Sequence, residues 1–233
     1  MTDQPLHPLA NDGTAFDRVP FVVVDVETTG GSALAGHRVT EVAAVIVERG
    51  VVREAFHSLV NPRRAIPPFI TGLTGIDDAM VRNAPGFDEI AGGLAEQLVG
   101  RVFVAHNAKF DWGFLSSEYG RLAPTVLGAS DPLSQLATAQ LCTVRLARRL
   151  LQHLPRRNLG AMCVHYGVTI EHRHRAAGDA RATAQVLLAL LQDAERQGVY
   201  TFEALQRMLA GGTGVARRRR RALPAPGDGA DGA

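Results

Sequence analysis

Residues 20–26, with the sequence PFVVVDV, constrain the fold more than any other segment of the chain. A continuous run of apolar, mostly β-branched residues predicts a strand that is buried on both faces, as in the middle of a sheet. Asp25 and Glu27 stand at the end of this run, just before a Gly-containing turn. Because side chains alternate along a strand, we expect both carboxylates on one face and Val26 on the other.

The patterns that follow predict the rest of the sheet. Residues 39–47 and 51–60 are typical of two strands joined by the turn Glu48-Arg49-Gly50, which predicts a hairpin. Residues 101–105 and 137–142 predict two more strands. Helical spacing of apolar residues predicts six helices, over residues 87–99, 109–119, 144–151, 159–166, 176–197 and 201–209. A hairpin followed by strands and helices in alternation is typical of an α/β domain with a mixed sheet and flanking helices.

Composition places the chain among globular proteins. Apolar residues make up 46% of its 233 residues and charged residues 21%, which are ordinary values for a folded domain. We expect one domain over residues 20–210, a flexible N-terminal arm over residues 1–19, and a disordered Arg-rich tail over residues 211–233.

Three features of the sequence indicate the cellular compartment of the protein. No apolar stretch approaches the ~20 residues that a membrane span requires. The first residues carry neither the basic nor the apolar region of a secretory signal. Cys142 and Cys163 are the only cysteines, which is too few for a disulfide framework. We therefore expect a cytoplasmic protein with no membrane partner.

Charge is distributed unevenly along the chain. The net charge is +2, and the five consecutive arginines at residues 217–221 contribute more than the whole of it. The body of the domain is therefore not a basic cradle by composition. Any binding of nucleic acid by the body must come from the local placement of basic residues.

Asp25 and Glu27 are the first candidate site residues. Two carboxylates side by side repel each other and are costly to bury unless a cation neutralises them. Hard oxygen ligands suit Mg²⁺ or Mn²⁺. The alternative is a pair of solvated acids at a strand end, and the apolar run that leads into Asp25 argues against it.

Two further segments carry candidate residues. His106-Asn107-Ala108-Lys109-Phe110-Asp111 follows the fourth predicted strand and opens a helix, with Asp111 in the first turn. His174-Arg175-Ala176-Ala177-Gly178-Asp179 leads into the longest helix. A histidine on the preceding loop is suited to take a proton near neutral pH. Spacing alone does not choose between His174 and His172, and either acid could instead serve only as a charge at a helix N-terminus.

The joint order of these motifs is more specific than any one of them. It resembles the DEDDh branch of the 3′–5′ exonucleases, a family that includes the proofreading epsilon subunit of bacterial replicative DNA polymerase. The resemblance extends over about residues 20–195. Thr28-Thr29-Gly30, residues 70–76 and Leu146-Ala147-Arg148 also fit the family. One departure is Cys142-Thr143, which stands where many relatives have Asp-Thr.

The resemblance implies an RNase H-like fold, with a five-stranded mixed sheet whose second strand is antiparallel. It implies that two divalent cations, Mg²⁺ or Mn²⁺, are held by Asp25, Glu27, Asp111 and Asp179, and that His174 is the general base. The implied product is a nucleoside 5′-monophosphate, and the implied partner is a single-stranded 3′ end of nucleic acid. A DNA polymerase subunit is a candidate protein partner. The residues implied to contact substrate are Val26, Thr28, Thr29, Thr71, Gly72, Leu73, His106, Asn107 and Phe110.

Three other functions fit parts of the sequence. An RNA-trimming exonuclease would use the same residues. A non-catalytic polymerase-associated subunit would keep the fold, but it would be expected to lack an acid or the histidine. The arginines at residues 217–221 could tether nucleic acid. Gln185-Val186-Leu187-Leu188 looks like a sliding-clamp peptide, but it falls inside a predicted helix, which favours a core segment.

Overall fold

The computed structural model describes residues 13–122 and 133–211. Within them the chain forms one five-stranded sheet, and its strands in chain order are β1 (Phe21–Thr28), β2 (Val39–Glu48), β3 (Val51–Leu59), β4 (Val102–Ala105) and β5 (Ala139–Cys142). The helices in chain order are α1 (Pro68–Thr74), α2 (Asp78–Val81), α3 (Phe87–Leu98), α4 (Ala108–Leu122), α5 (Leu133–Leu136), α6 (Thr143–Leu150), α7 (Leu159–Tyr166), α8 (Ala176–Arg196) and α9 (Phe202–Ala210). Short 3₁₀ helices cover Phe16–Arg18 and Ala33–Ala35.

Strand β1 is the centre of the sheet, whose order is β3-β2-β1-β4-β5. It pairs antiparallel with β2, from Phe21 opposite Val47 to Glu27 opposite Glu41, and parallel with β4. Strand β2 pairs antiparallel with β3, and β4 pairs parallel with β5. The predicted mixed sheet, with an antiparallel second strand, is therefore confirmed.

Two hydrophobic cores cover the two faces of β1. Phe21 and Val23 belong to the core on the side of α6 to α9, whereas Val22, Val24 and Val26 belong to the core on the side of α3 and α4. This division matches the alternation expected of a strand buried on both faces. By the same alternation Asp25 and Glu27 lie on the face covered by α8.

The predicted strands and the six predicted helices are all present, and their ends differ from the prediction by a few residues at most. Strand β1 runs to Thr28 rather than to residue 26, so both acids belong to the strand. Helices α1, α2 and α5 were not predicted. Each has at most seven residues, which is too short for a clear helical period.

The folded domain begins earlier than residue 20. Phe16 and Val19 are buried in the same core as Phe21, and Ala15 forms a β-bridge with Thr201. The expected flexible arm is therefore wrong for residues 13–19, because two large apolar side chains there find core partners far along the chain. Residues 1–12 and the arginines at 217–221 lie outside the described residues. No helix in the described part of the chain is long and apolar enough to cross a membrane.

We expect Phe16→Ala to reduce the free energy of unfolding by about 3 kcal/mol, because it removes a buried aromatic ring and leaves a cavity. Urea denaturation followed by circular dichroism measures the change. Asp17→Ala is the matched control, since Asp17 is exposed beside it, and it should change stability by less than about 0.5 kcal/mol. Equal stability of the two variants would show that the segment before residue 20 does not belong to the core.

Candidate active site

The acids of β1 meet the start of α8. Ligand atoms of Glu27, His174 and Asp179 all lie within 4.8 Å of one another. Asp179 is in the first turn of α8, and its Oδ2 accepts a hydrogen bond of 3.3 Å from the main-chain N–H of His174. The geometry therefore brings His174 into the group of acids. His172 is exposed and is not part of that group.

Asp111 reaches the same end of β1 from the opposite layer. It lies in the first turn of α4, is 3% exposed, and its Oδ1 accepts a hydrogen bond of 3.2 Å from the N–H of Val26. Asn107 adopts a left-handed conformation with φ of 76° immediately before α4. Its carbonyl accepts from the N–H of Phe110 at 2.8 Å. This turn directs α4 so that Asp111 meets the strand end between Asp25 and Glu27.

All four carboxyl groups resist ionisation. Burial, followed by the negative charges of Asp111, Glu27 and Asp179, raises the pKa of Asp25 well above its usual range. Burial and the charge of Asp179 raise the pKa of Glu27 to about 8. Burial raises the pKa of Asp111 to about 7 and raises that of Asp179 as well. Such a group is a strong candidate for a cation site, because a bound cation would reverse these shifts.

The donor atoms fit a divalent cation. The Oδ1 atom of Asp179 is buried and has no hydrogen-bond partner among the described residues. A buried carboxylate oxygen in this state is costly unless a ligand binds it. The available donors are carboxylate oxygens, which suit Mg²⁺ or Mn²⁺ better than softer metals.

Glu41 is an acid of this region that the sequence analysis missed. It is opposite Glu27 on β2 and is fully buried. It accepts hydrogen bonds from Arg175 Nη2 at 2.7 Å, His57 Nε2 at 2.8 Å and the N–H of Ala176 at 2.9 Å. Burial alone would raise its pKa, but these donors outweigh burial and hold the pKa of Glu41 below its usual range. An acid inside the apolar sequence of β2 was the available signal, since a buried charge requires a partner.

The contacts of Glu41 fix the loop that carries His174. Arg175 follows His174 directly, and Ala176 begins α8, so both anchors adjoin the histidine. His174 itself has φ of 61°, which is the left-handed region. The loop also packs on the helix, because a Cβ at Gly178 would collide with the carbonyl oxygen of Glu171. The position of His174 is therefore set from both sides.

Two of the residues expected to contact substrate line a cavity at the start of α4, the helix that carries Asp111. Asn107 and Phe110 form part of a cavity of about 640 Å³ between residues 31–34 and α4. Lys109, the only lysine of the chain, lies on the same rim. Leu34 is fully exposed there. This cavity can accept an apolar or aromatic group next to a positive charge.

Several of the other expected substrate residues have structural partners. Thr28 Oγ1 donates to the carbonyl of Gly30 at 2.8 Å, and Thr29 Oγ1 accepts from the N–H of Arg38 at 3.0 Å. Val26 contributes its main-chain N–H to Asp111. These contacts shape the end of β1.

The segment expected to lie near the terminal nucleotide is helical. Thr71, Gly72 and Leu73 are in α1, where Leu73 is 51% exposed. Thr71 accepts from the N–H of Gly75 at 2.8 Å, which is the closing bond of this helix. None of the three lines the cavity beside Asn107. Within the described residues, these three stay a prediction without a contact to the acids.

His106 has partners that were not expected. Its Nε2 donates to the carbonyl of Arg157 at 3.1 Å, and its Nδ1 accepts from Thr143 Oγ1 at 2.8 Å. Burial lowers its pKa to about 4, so the ring is neutral at pH 7. Both ring nitrogens are engaged, and the side chain therefore joins the end of β4 to α6 and to the loop before α7.

We expect Glu41→Ala to reduce the free energy of unfolding by about 3 kcal/mol, because it leaves Arg175 and the first N–H of α8 without their acceptor. Guanidinium denaturation measures the effect. Glu48→Ala, at the exposed end of the same strand, removes a partly exposed ion pair with Arg101 and should cost less than about 1 kcal/mol. An equal loss in both variants would contradict the assignment of Glu41 as an anchor.

Comparison with known proteins agrees with this geometry. An exonuclease family model matches residues 22–187. A Mycobacterium tuberculosis protein whose name joins an exonuclease with an endonuclease is 41% identical over 216 residues, which cover 90% of this chain and 32% of that protein. The DinG 3′–5′ exonuclease of Bacillus subtilis is 34% identical over 81% of this chain and 19% of its own length. The PolC-type DNA polymerase III of the same organism is 34% identical over 85% and 13%. This chain thus spans a third or less of these relatives.

Solved structures show the same fold. Exonuclease X in complex with 5′ overhanging duplex DNA has a TM-score of 0.58 and 24% identity, and the match covers 81% of this chain and 99% of that one. Exonuclease I of Escherichia coli, in complex with a dT13 oligonucleotide, has a TM-score of 0.63 and 16% identity over 78% of this chain and 43% of that one. The expected RNase H-like fold is confirmed, and the chain belongs to this exonuclease family.

Proposed function

We propose that this protein is a metal-dependent 3′–5′ exonuclease that hydrolyses terminal phosphodiester bonds of DNA and releases nucleoside 5′-monophosphates. The observation that carries the proposal is the meeting of Asp25, Glu27, Asp111 and Asp179 with His174 at the end of one buried strand. The names of the relatives support DNA as substrate, and the relation to PolC-type polymerases supports a role beside a DNA polymerase.

The four carboxylates would hold two divalent cations, Mg²⁺ or Mn²⁺. Bound cations of this kind lower the pKa of an attacking water and neutralise the charge that develops on a leaving oxygen. Asp111 and Asp179 approach β1 from opposite layers, so their carboxylates can bind the cations from two sides. The cavity beside Asn107 and Phe110 would take the terminal nucleoside, and Lys109 would face its phosphate.

His174 would take the proton of the attacking water. Its side chain reaches Glu27 and Asp179, and it approaches from a loop that Glu41 fixes through Arg175. An imidazole in this place is suited to general-base catalysis near neutral pH. A non-catalytic subunit is not favoured, because all four acids and the histidine are present.

We expect Asp25→Asn to abolish hydrolysis and His174→Ala to lower the turnover rate by roughly 10²–10⁴-fold, which is the usual contribution of a general base. The assay follows 5′-labelled single-stranded DNA, duplex DNA and RNA with Mg²⁺, Mn²⁺ or EDTA. Shortening from the 3′ end that EDTA abolishes would establish the reaction class, and the preferred substrate would separate DNA from RNA.

His172→Ala is the matched control for the histidine, since it lies two residues away on the same loop and is exposed. It should retain nearly full activity. A larger defect in His172→Ala than in His174→Ala would overturn the assignment of the base. Full activity of Asp25→Asn at saturating Mg²⁺ would overturn the cation site.

We also expect the metal-free protein to lose stability as the pH rises from about 5 to 8. The pKa of Glu27 is raised to about 8 and that of Asp111 to about 7, so the folded state binds more protons than the unfolded state within this window. Stability must therefore fall as the pH increases. Differential scanning fluorimetry in EDTA measures the melting temperature.

Mg²⁺ should restore the melting temperature most strongly at pH 8, because the carboxylates bind a cation only when deprotonated. Asp25→Asn removes one acid of the group and should flatten the dependence on pH. A melting temperature in EDTA that rises between pH 5 and pH 8 would contradict the raised pKa values of these acids.

A further inference from the structure

The chain carries a stretch of purely positive charge next to this acidic site. Residues 133–170 contain five arginines and no aspartate or glutamate. In the described residues before this stretch, and again in those after residue 175, acids outnumber basic residues. The positive charge of the described chain is thus concentrated on α6 and the loop that follows it.

Four guanidinium groups form what we term the arginine surface, namely Arg148, Arg149, Arg156 and Arg173. Arg148, Arg156 and Arg173 are exposed, and Arg149 is half-buried. No salt bridge joins any of the four to an acid within residues 13–122 and 133–211. By contrast, Arg175 and Arg181, which follow Arg173 in the sequence, are both paired with glutamates. These four charges are therefore available to a ligand.

The arginine surface adjoins the active site at two points. The carbonyl of Arg157, directly after Arg156, accepts the hydrogen bond from His106, the residue that follows β4. The side chain of Arg157 donates to the carbonyls of Leu151 at 2.7 Å and Gln152 at 3.0 Å, so the loop folds back onto the end of α6. The loop that carries Arg156 thus packs between the end of α6 and the end of β4, the strand that leads into the helix of Asp111.

The second point is Arg173, which directly precedes His174. Its guanidinium lies against the start of α7, since a Cβ on Gly160 would be 3.3 Å from its Nη2. Arg173 therefore links the loop of the proposed general base to the surface formed by Arg148, Arg149 and Arg156.

We propose that the arginine surface binds the sugar–phosphate backbone of the strand whose 3′ end occupies the active site, upstream of the nucleotide that is removed. This inference rests on the proposed exonuclease function. The proposed cations would contact only the last phosphates of a strand, so the rest of its backbone needs positive charge elsewhere to hold it at the site. Arginine forks pair with phosphate oxygens in two-point contacts, and such contacts read no base sequence.

The test neutralises three members of the surface together, in the variant Arg148→Gln/Arg149→Gln/Arg156→Gln. Arg173 is left unchanged because it adjoins His174. The control variant is Arg18→Gln/Arg49→Gln/Arg53→Gln, which removes the same charge at the opposite end of the sheet. There the start of β1 pairs with the end of β2, and Arg49 occupies the hairpin turn that follows. Melting temperatures equal to that of the wild type establish that both variants are folded. If a triple variant does not fold, its three substitutions are tested one at a time.

Two measurements are made with the full-length chain. The first is fluorescence anisotropy of a labelled 20-nucleotide single strand in EDTA over a range of salt concentrations. The surface variant should raise Kd by up to ~100-fold at 0.1 M salt and lower the salt slope by up to about 0.7 per lost contact, whereas the control should match the wild type. The second is hydrolysis of a dinucleotide, which is too short to reach the surface and should be unchanged in both variants.

The outcomes separate the two proposals. A wild-type protein that binds the 20-nucleotide strand but hydrolyses no substrate would refute the exonuclease function while the binding data still decide the arginine surface. An equal Kd and salt slope for the surface variant and the control would overturn the arginine surface and identify it as a solvated charged face. A loss of dinucleotide hydrolysis in the surface variant alone would also overturn it, because these arginines would then act at the acids themselves.

Discussion

Desolvation of four carboxylates held together at the end of β1 is the constraint on which the rest of this structure depends. Asp25 and Glu27 share one face of the strand, and Asp111 and Asp179 are brought to it by helices on opposite sides of the sheet. Their raised pKa values show that each acid is held where it does not ionise easily. The apolar contacts on both faces of β1 must supply the stability that this arrangement opposes, which explains why the strand before Asp25 is so completely buried.

Glu27 and Glu41 show that hydrogen-bond donors, rather than residue type, decide the role of an acid here. They are opposite each other on neighbouring strands. The carboxylate of Glu41 has three donors and a lowered pKa, whereas the carboxylate of Glu27 has no hydrogen-bond partner within the described residues and a pKa of about 8. The paired acid holds the fold together, and the unpaired acid is left for a ligand. A bound cation would stabilise the ionised form of Glu27, as Arg175 stabilises that of Glu41.

The sequence was most informative where the signal is local. The apolar run into Asp25 predicted the central strand, and alternation placed Glu27 beside it. Spacing in the sequence could not separate the two histidines of one loop. In the structure both have left-handed φ values, and only the approach of His174 to Glu27 of β1 distinguishes them. The partners of His106 are 37 and 51 residues away in sequence, so its anchoring role was invisible before the fold was known. The partner of Glu41 was hidden for the same reason, since Arg175 is 134 residues away.

Separation of the two kinds of charge follows from the chemistry that the site would need. An arginine within reach of Glu27 or Asp179 would pair with it, as Arg175 pairs with Glu41, and would remove a cation ligand. A polyanionic strand nevertheless needs positive charge beyond its last phosphates, because salt screens the attraction of cations held by the acids within about 10 Å. The two demands are met together only if basic residues stand beside the acids without touching them. Arg173, next to His174 in sequence but turned toward Gly160, has this position.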